Sequence, residues 1–513
     1  MINSAIMLRV VIIKPSKYGV SGNVDRFRRG FMPNSTVPFI RSMTPGSVED
    51  VAIQTYAIDE YVQTDLDYLN LLRNPDQPTL LALVGVQSHQ FQRALDLSAF
   101  ARANGVRHCV IGGPHPMTCD TSMLQNRGVS FALAEAEMIW PQIIRDAIHG
   151  DLQPMYGRDR RWAQELQSPV LIPPSKRDLR RYIVPMLGIY PARGCPFTCN
   201  FCSVIKIAGR QIRSQSIATT IESLRNARTA GVRLVMFTSD NFNKYAEAKE
   251  LLEQMIAERI HIPFFVQCDT QIAKQEEFVQ LMGRAGCFEM FVGVESFSRK
   301  TLLAAHKTQN HPSTYSDIVK LCQKYGIVSH FSNIIGFPDD TAPSIREHVE
   351  VLRELDPNVA SFYILCPIPG TEQYDDFLAT RYITEMNLDR FDGTAPTWRH
   401  PNLSADELED LLFSCYRRFY SAGHIVAKAI KHPRRNFVDW LLPYVGHPLF
   451  SRFAAAKRMH PMSGGISRVR VDSSSDYREL RKKQFGFEQI PLPNSLELSQ
   501  ADVELNRRVK IAL

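Results

Sequence analysis

The sequence predicts an α/β protein with two parallel-sheet units, a doubly wound, Rossmann-like N-terminal domain and a six-stranded open barrel, followed by a mainly α C-terminal region. Three observations lead there. Short apolar runs alternate with helical stretches in two successive series. A polar, Pro- and Arg-rich stretch at 151–181 separates the series, and beyond about residue 380 the strand pattern gives way to helix signals and basic clusters. A chain of 513 residues, 44% hydrophobic and 22% charged, has room for about three domains and the composition of a folded globular protein.

Within residues 1–150, Leu8–Ile13, Leu80–Val86 and Arg107–Ile111 read as buried strands, with a helix over Phe91–Ala103. Val129–Leu133 is a further apolar piece running into Ala134-Glu-Ala-Glu137, and a helix from about Met138 to Ala147 ends before Gly150. The turn Gly112-Gly-Pro-His-Pro116 follows a strand end, where ligands sit in sheets of this kind. Residues 151–181 read as a linker. The barrel, expected over 182–380, takes strands from Leu187–Tyr190, Leu234–Thr238, Phe264–Cys268, Glu289–Glu295, His330–Ile335 and Val359–Cys366. Ala248, Leu251, Leu252, Met255 and Ile256 form the apolar stripe of a helix packed outside such a barrel. In 381–513, Ser404-Ala-Asp-Glu407 makes a capping box before Leu408, Leu411, Leu412, Cys415, Tyr416 and Phe419. That helix is expected as a lid or support, and the stretch from about Pro461 as a loosely folded tail.

The chemistry is concentrated in one loop after the first barrel strand. Cys195, Cys199 and Cys202 stand at Cys-x-x-x-Cys-x-x-Cys spacing in Ala192-Arg-Gly-Cys-Pro-Phe-Thr-Cys-Asn-Phe-Cys-Ser203. Three thiolates on one loop suit a 4Fe-4S cluster, which takes four ligands, so one iron is left open to bind something else. A structural zinc site usually takes four ligands, and neither a second Cys-x-x-Cys nor a Cys/His pair lies nearby.

With Phe201 at the aromatic position, this loop resembles the signature of the radical S-adenosylmethionine enzymes. The resemblance implies that the open iron chelates S-adenosylmethionine and that one electron from the cluster yields a 5'-deoxyadenosyl radical, which takes a hydrogen atom from substrate. It extends to successive strand ends: Ser239, Asp240 and Asn241 where the family contacts the cofactor's amino group; Gln267; Glu295 in Gly293-Val-Glu-Ser296, similar to the family's Gly-Ile-Glu-Ser; and Ile335-Gly336, which would pack on adenine. Each alone has a plainer reading, as a cap, an ion pair or a turn residue; their recurrence after a cluster loop carries the weight.

The N-terminal order resembles the cobalamin-binding domain of one branch of that family. The resemblance implies a cobalamin cradle formed by Gly85, Gln87, Ser88, Gly112, Gly113, Pro114, His115 and Glu135. The Asp-x-His-x-x-Gly motif that ligates cobalt is absent, so no lower axial ligand is implied. The expected activity is methylation of an unactivated carbon in a small molecule or lipid. Non-methylating radical oxidation or cyclisation is the alternative, and a sensor without turnover is the alternative of another class. An external one-electron reductant of flavodoxin or ferredoxin type is implied, and no nucleic-acid partner is expected.

Ten cysteines in so long a chain do not form a disulfide framework, and the cytoplasm suits the clustered three. The first residues lack a basic leader, and no apolar run is long enough to span a bilayer. The net charge of +7 lies mostly at the end: 401–513 holds 18 Lys and Arg against 12 Asp and Glu. Lys431-His-Pro-Arg-Arg435 and Arg481-Lys-Lys483 would suit phosphates, a membrane surface, an acidic partner or simply solvent. The cysteines outside the loop are expected as small buried hydrophobes, with Cys268 and Cys366 near strand ends.

Overall fold

The computed structural model describes residues 7–73, 77–431, 445–461 and 464–507. The first unit contributes β1 (Met7–Lys14), β2 (Arg26–Gly30), β3 (Ser47–Val48), β4 (Val51–Asp59), β5 (Thr79–Leu83), β6 (His108–Gly112), β7 (Ser130–Ala132) and β8 (Met155–Tyr156). All but β2 join one sheet in the order β3-β4-β1-β5-β6-β7-β8, parallel except for the β3/β4 hairpin. Successive side chains of a strand point to opposite faces, and here both faces are buried. Leu8, Val10 and Ile12 of β1, with Leu80 and Ala82 of β5, therefore join the core shared with the barrel. Val11, Ile13, Leu81 and Leu83 join a second core under the helix Phe91–Ala103, whose bounds agree with the expected ones.

The stretch 151–181 is more than a linker. Its β8 forms the edge strand beyond β7, and its Trp162 is fully buried with the indole N–H donating to Ile207 O at 2.8 Å. A buried indole and one added edge strand leave no periodic signal in so polar a sequence.

The barrel is built from β9 (Met186–Ile189), β12 (Leu234–Phe237), β13 (Phe264–Cys268), β14 (Cys287–Glu295), β15 (Val328–Ile335) and β16 (Val359–Ile364). These six are parallel and lie side by side in chain order; the short β10 (Ala192–Arg193) and β11 (Arg213–Ser214) pair with each other beside them. The helix Ala248–Ala257 buries Ala248, Leu251, Leu252 and Met255, the expected stripe. The helix Ala405–Phe419 starts on the capping box of Ser404 and Glu407. It serves as a support: the Tyr416 hydroxyl accepts from Phe362 N and donates to Phe362 O (3.0 and 3.2 Å), and the Tyr420 hydroxyl does the same at Ala360 (3.0 and 2.9 Å). Two phenols thus satisfy the free edge of β16 where a further strand would otherwise pair.

The expected loose tail is instead folded back over the first unit. Its β17 (Gly465–Val469) pairs antiparallel with β2. Asp472 joins Glu60 between Arg26 and Arg93, with N···O distances of 2.6–3.1 Å among side chains that are almost wholly buried. Arg481 clasps the buried Asp96 with two hydrogen bonds of 2.6 and 2.8 Å, and Lys482 pairs with Glu488, so this basic cluster is not a free cationic patch. Charges paired across nearly 400 residues do not show as local periodicity. Of the other basic cluster, 432–435 lie outside the described residues.

Candidate functional site

The C-terminal ends of the two sheets face each other across an apolar cavity of about 260 Å³. From the first sheet come Gly85, Gly112, Gly113, Pro114 and Glu135; from the barrel come Tyr190, Arg193, Thr238 and Asp240. Phe39, Met117, Trp140 and Ile143 complete the wall. Gly113 could be no other residue: its φ is 140°, and a Cβ there would stand 2.1 Å from Val86 N. Three glycines leave the backbone itself as the wall, the surface that a large planar ligand needs for close approach.

Not every residue expected in this cradle reaches it. Gln87 is exposed and caps the turn Ser88–Gln90. Ser88 and His115 bond to each other at 3.0 Å away from the cavity wall, and the His115 ring lies 3.9 Å from that of Phe91. Burial lowers the His115 pKa to about 3 and keeps the imidazole neutral. Glu135 lines the cavity, but its carboxylate is taken: Arg213 grips it at 2.6 and 2.8 Å, and Ala163 N donates at 3.0 Å. Burial opposes ionisation there, yet the arginines prevail and hold its pKa below the usual range.

Arg193, which the sequence reading passed over, ties the sheets together. Its guanidinium pairs with Glu137 at 3.0 Å and Glu135 at 3.4 Å, and lies 5.0 Å from the ring centroids of both Phe39 and Tyr190. The next residue, Gly194, has a φ of 110°, where a Cβ would meet Gln211 O at 2.3 Å, and its N–H donates to Asp240 at 2.8 Å. The cysteine loop therefore starts from a backbone pinned on both sides. Burial raises the pKa of Asp240. The available signal was position: Arg193 directly precedes the loop glycine, and Glu137 closes the Ala-Glu-Ala-Glu segment.

Cys195, Cys199 and Cys202 follow, the last closing a turn by its N–H to Cys199 O at 3.1 Å. Burial pushes the thiols of Cys195 and Cys202 up to about 12 in the bare protein. The Lys307 ammonium faces this loop, 5.7 Å from the Phe201 ring centroid, and pairs with Glu295 at 2.7 Å. Burial opposes its charge, but Glu295 and the cysteines hold its pKa well above the ordinary range. Gln309 Nε2 lies 3.7 Å from Cys199 Sγ. Among the described residues no three His, Cys, Asp or Glu side chains converge as ligands of a single ion. Thiolates that bind separate irons of a cube stand further apart than ligands around one ion, so the donor set, three thiols under a lysine, fits a cluster.

The other expected site residues close the same end of the barrel. Ser239 donates to Ala192 O at 3.1 Å. Asn241 is engaged with Asp269, donating at 2.8 Å and accepting from its N–H at 3.2 Å. Gln267, beside Phe291 in the sheet register, is half-buried at the end of β13. Glu295 sits at a φ of 60° at the end of β14. Ile335 is buried, and Gly336 N donates to Asp340 at 2.8 Å, with Phe337 edge-on to Phe201. Cys268 and Cys366 lie in the hydrophobic cores and do not line the cavity.

A cysteine loop at the mouth of a partial barrel, with the glycine-rich edge of a doubly wound sheet across the cavity, makes up the candidate site. Residues 189–352, which span most of the barrel, match the family model described as the Radical SAM superfamily. An uncharacterised methyltransferase of Pyrococcus horikoshii is 28% identical over 48% of this chain and 54% of its own length, so that the chain spans about half of that relative. A bacteriochlorophyllide d C-8(2)-methyltransferase of Chlorobaculum tepidum is 24% identical over 74% of this chain and 87% of its own. An anaerobic magnesium-protoporphyrin IX monomethyl ester cyclase of Rubrivivax gelatinosus is 24% identical over 45% and 41%. Among solved structures, the radical S-adenosylmethionine methyltransferase TsrM of Kitasatospora setae, with cobalamin and a 4Fe-4S cluster bound, superimposes with a TM-score of 0.57 at 16% identity, over 80% of this chain and 85% of that one. At that identity the likeness shows the fold.

Proposed function

We propose that this chain is a cobalamin-dependent radical S-adenosylmethionine methyltransferase acting on an unactivated carbon of a small molecule or lipid. The observation that supports it is the shared cavity, where Gly85, Gly112 and Gly113 of one sheet face Arg193 and Asp240 beside the cysteine loop of the other. Cys195, Cys199 and Cys202 would hold a 4Fe-4S cluster, and the glycine edge would hold cobalamin. The chemistry such groups supply when bound is one-electron cleavage of a sulfonium and delivery of a methyl group.

What the chain's own residues do is position and exclude. Arg193 and Asp240 fix the start of the cysteine loop against the first sheet. Phe39, Met117, Trp140 and Ile143 keep water from the space between the sites, where a primary carbon radical would otherwise be quenched. Lys307 places one positive charge beside the thiols, which favours the anionic ligands a cluster requires.

The test is anaerobic reconstitution with iron and sulfide, addition of cobalamin, S-adenosylmethionine and a flavodoxin or ferredoxin reductant, and measurement of 5'-deoxyadenosine together with S-adenosylhomocysteine. The proposal expects both products, the second from the methyl donor. Deoxyadenosine alone, with an oxidised and unmethylated substrate, favours the alternative that the cyclase relative represents. Neither product from a loaded, reduced sample rejects both readings.

A further inference from the structure

Two helices at the far end of the barrel turn the wrong faces to water. In Ala422–Lys431 the exposed residues include Gly423, Val426, Ala427 and Ile430, while Lys428 is buried against Pro357 O and Asp356. In His447–Ala456 Leu449, Phe453 and Ala456 are exposed while Ser451 is buried. Val426, Ile430, Leu449 and Phe453 are 57, 79, 51 and 55% exposed, and they make up four of the fourteen exposed large apolar residues among those described. Four on two ten-residue helices is a cluster, whereas isolated ones would need no account.

Both helices spring from one corner. Ala422 begins two residues beyond Tyr420, whose carbonyl accepts from Arg452 at 3.2 Å and whose ring lies 5.9 Å from that of His447. That corner adjoins Pro357 and Asn358, which enter β16, so it lies at the opposite end of the barrel from Asp240, Glu295 and the cysteine loop. The two helices themselves carry no acidic residue. The described residues of 411–430 and 445–471 include eight Lys and Arg and no acidic residue. Arg418, Lys428, Arg458 and Arg468 pair with carboxylates, while Arg452 bonds to two carbonyls among the described residues and Lys457 lies over the exposed ring of Phe453.

We infer that this face docks on an anionic lipid surface, with Val426, Ile430, Leu449 and Phe453 entering the interfacial layer and Arg452 and Lys457 meeting headgroup phosphates. An apolar face flanked by cations on acid-free helices is the pattern of an interfacial membrane element. A second copy of the chain is the poorer occupant, since a two-fold contact would set this cationic corner against itself. Docked this way the chain is tethered through the base of its barrel, and the cavity opens away from the lipid.

The test is flotation of the full-length chain with phosphatidylcholine vesicles, with and without phosphatidylglycerol. The inference expects flotation only with the anionic vesicles, weakened as salt is raised from about 0.05 to about 0.5 M. The exposed-site variants Ile430→Gln and Phe453→Gln together should reduce partitioning by roughly tenfold or more. Failure to float with anionic vesicles at low salt overturns it. So does flotation unchanged by the two substitutions, or a dimer in sedimentation that the same substitutions dissociate. The assay reads lipid binding without cluster, S-adenosylmethionine or turnover, so its outcome is separate from that of the methyltransferase proposal.

Discussion

The two sheet edges that face the cavity are built on opposite plans. The first presents backbone and small groups, Gly85, Gly112, Gly113, Ala132 and Ala134, and its two acids, Glu135 and Glu137, are spent on Arg213 and Arg193. The barrel presents functional side chains, Tyr190, Arg193 and Asp240, with the thiols of the cysteine loop, Glu295 and Lys307 beyond the cavity wall at the same end. One edge opens space by removing side chains; the other holds charged groups by supplying them. Under the proposed function, two different cofactors would meet in such a cavity with neither wall competing for the other's ligand.

The sharpest way to break the comparison is to disable one wall and ask whether the other survives. Replacing Cys195, Cys199 and Cys202 by Ala should abolish bound iron and deoxyadenosine formation altogether while leaving corrinoid uptake, read by visible absorbance, largely intact. Conversely, Gly113→Val forces a Cβ into Val86 N and should abolish corrinoid uptake while iron content stays near the starting value. If either variant loses both cofactors, the walls are not independent.

Next in size is the C-terminal clasp on the first unit. Arg481→Met leaves the Asp96 carboxylate buried with the Tyr18 hydroxyl but without its guanidinium, which should cost about 3–5 kcal/mol in chemical denaturation. Corrinoid uptake should suffer more than iron binding, because Asp96 lies on the helix Phe91–Ala103 behind the first sheet. Smaller still is Arg193→Gln, which unties the walls without removing a cofactor ligand. Methylated product should fall about 10–100-fold with iron and corrinoid contents unchanged, and deoxyadenosine formed per product should rise.

The smallest effect is a pH dependence. Glu135 has its folded pKa lowered, so its contribution to stability is complete above the unfolded value of 4.5 and is lost as pH falls below that, through the folded value. Thermal melts across that range should show a loss that Glu135→Gln, already destabilised at neutral pH, lacks.

Much of this was legible in the chain. The six barrel strands appear where apolar runs predicted them, because each buries at least alternate side chains and local sequence states that need directly. The cysteine spacing was equally plain, since all three ligands lie on one loop. Gly112 and Gly113 were readable as a turn after a strand. His115 and Ser88, adjacent in sequence to cavity residues, turn inward instead, a choice that the packing of Phe91 makes and that no single segment encodes.

By itself, then, the sequence determined the six barrel strands, the main strands and helices of the first unit and the triple-thiol loop, because these depend on residues close together in the chain. Only the tertiary structure decided that Glu135 would be neutralised by Arg213, that Arg193 would join the two walls, and that the tail would fold back so that Asp472 and Arg481 pair with Glu60's arginines and Asp96. Each of these is a charge that could not be buried alone. Its partner is fixed by which distant segment the fold brings within about 3–4 Å, and that distance does not exist until the chain is packed.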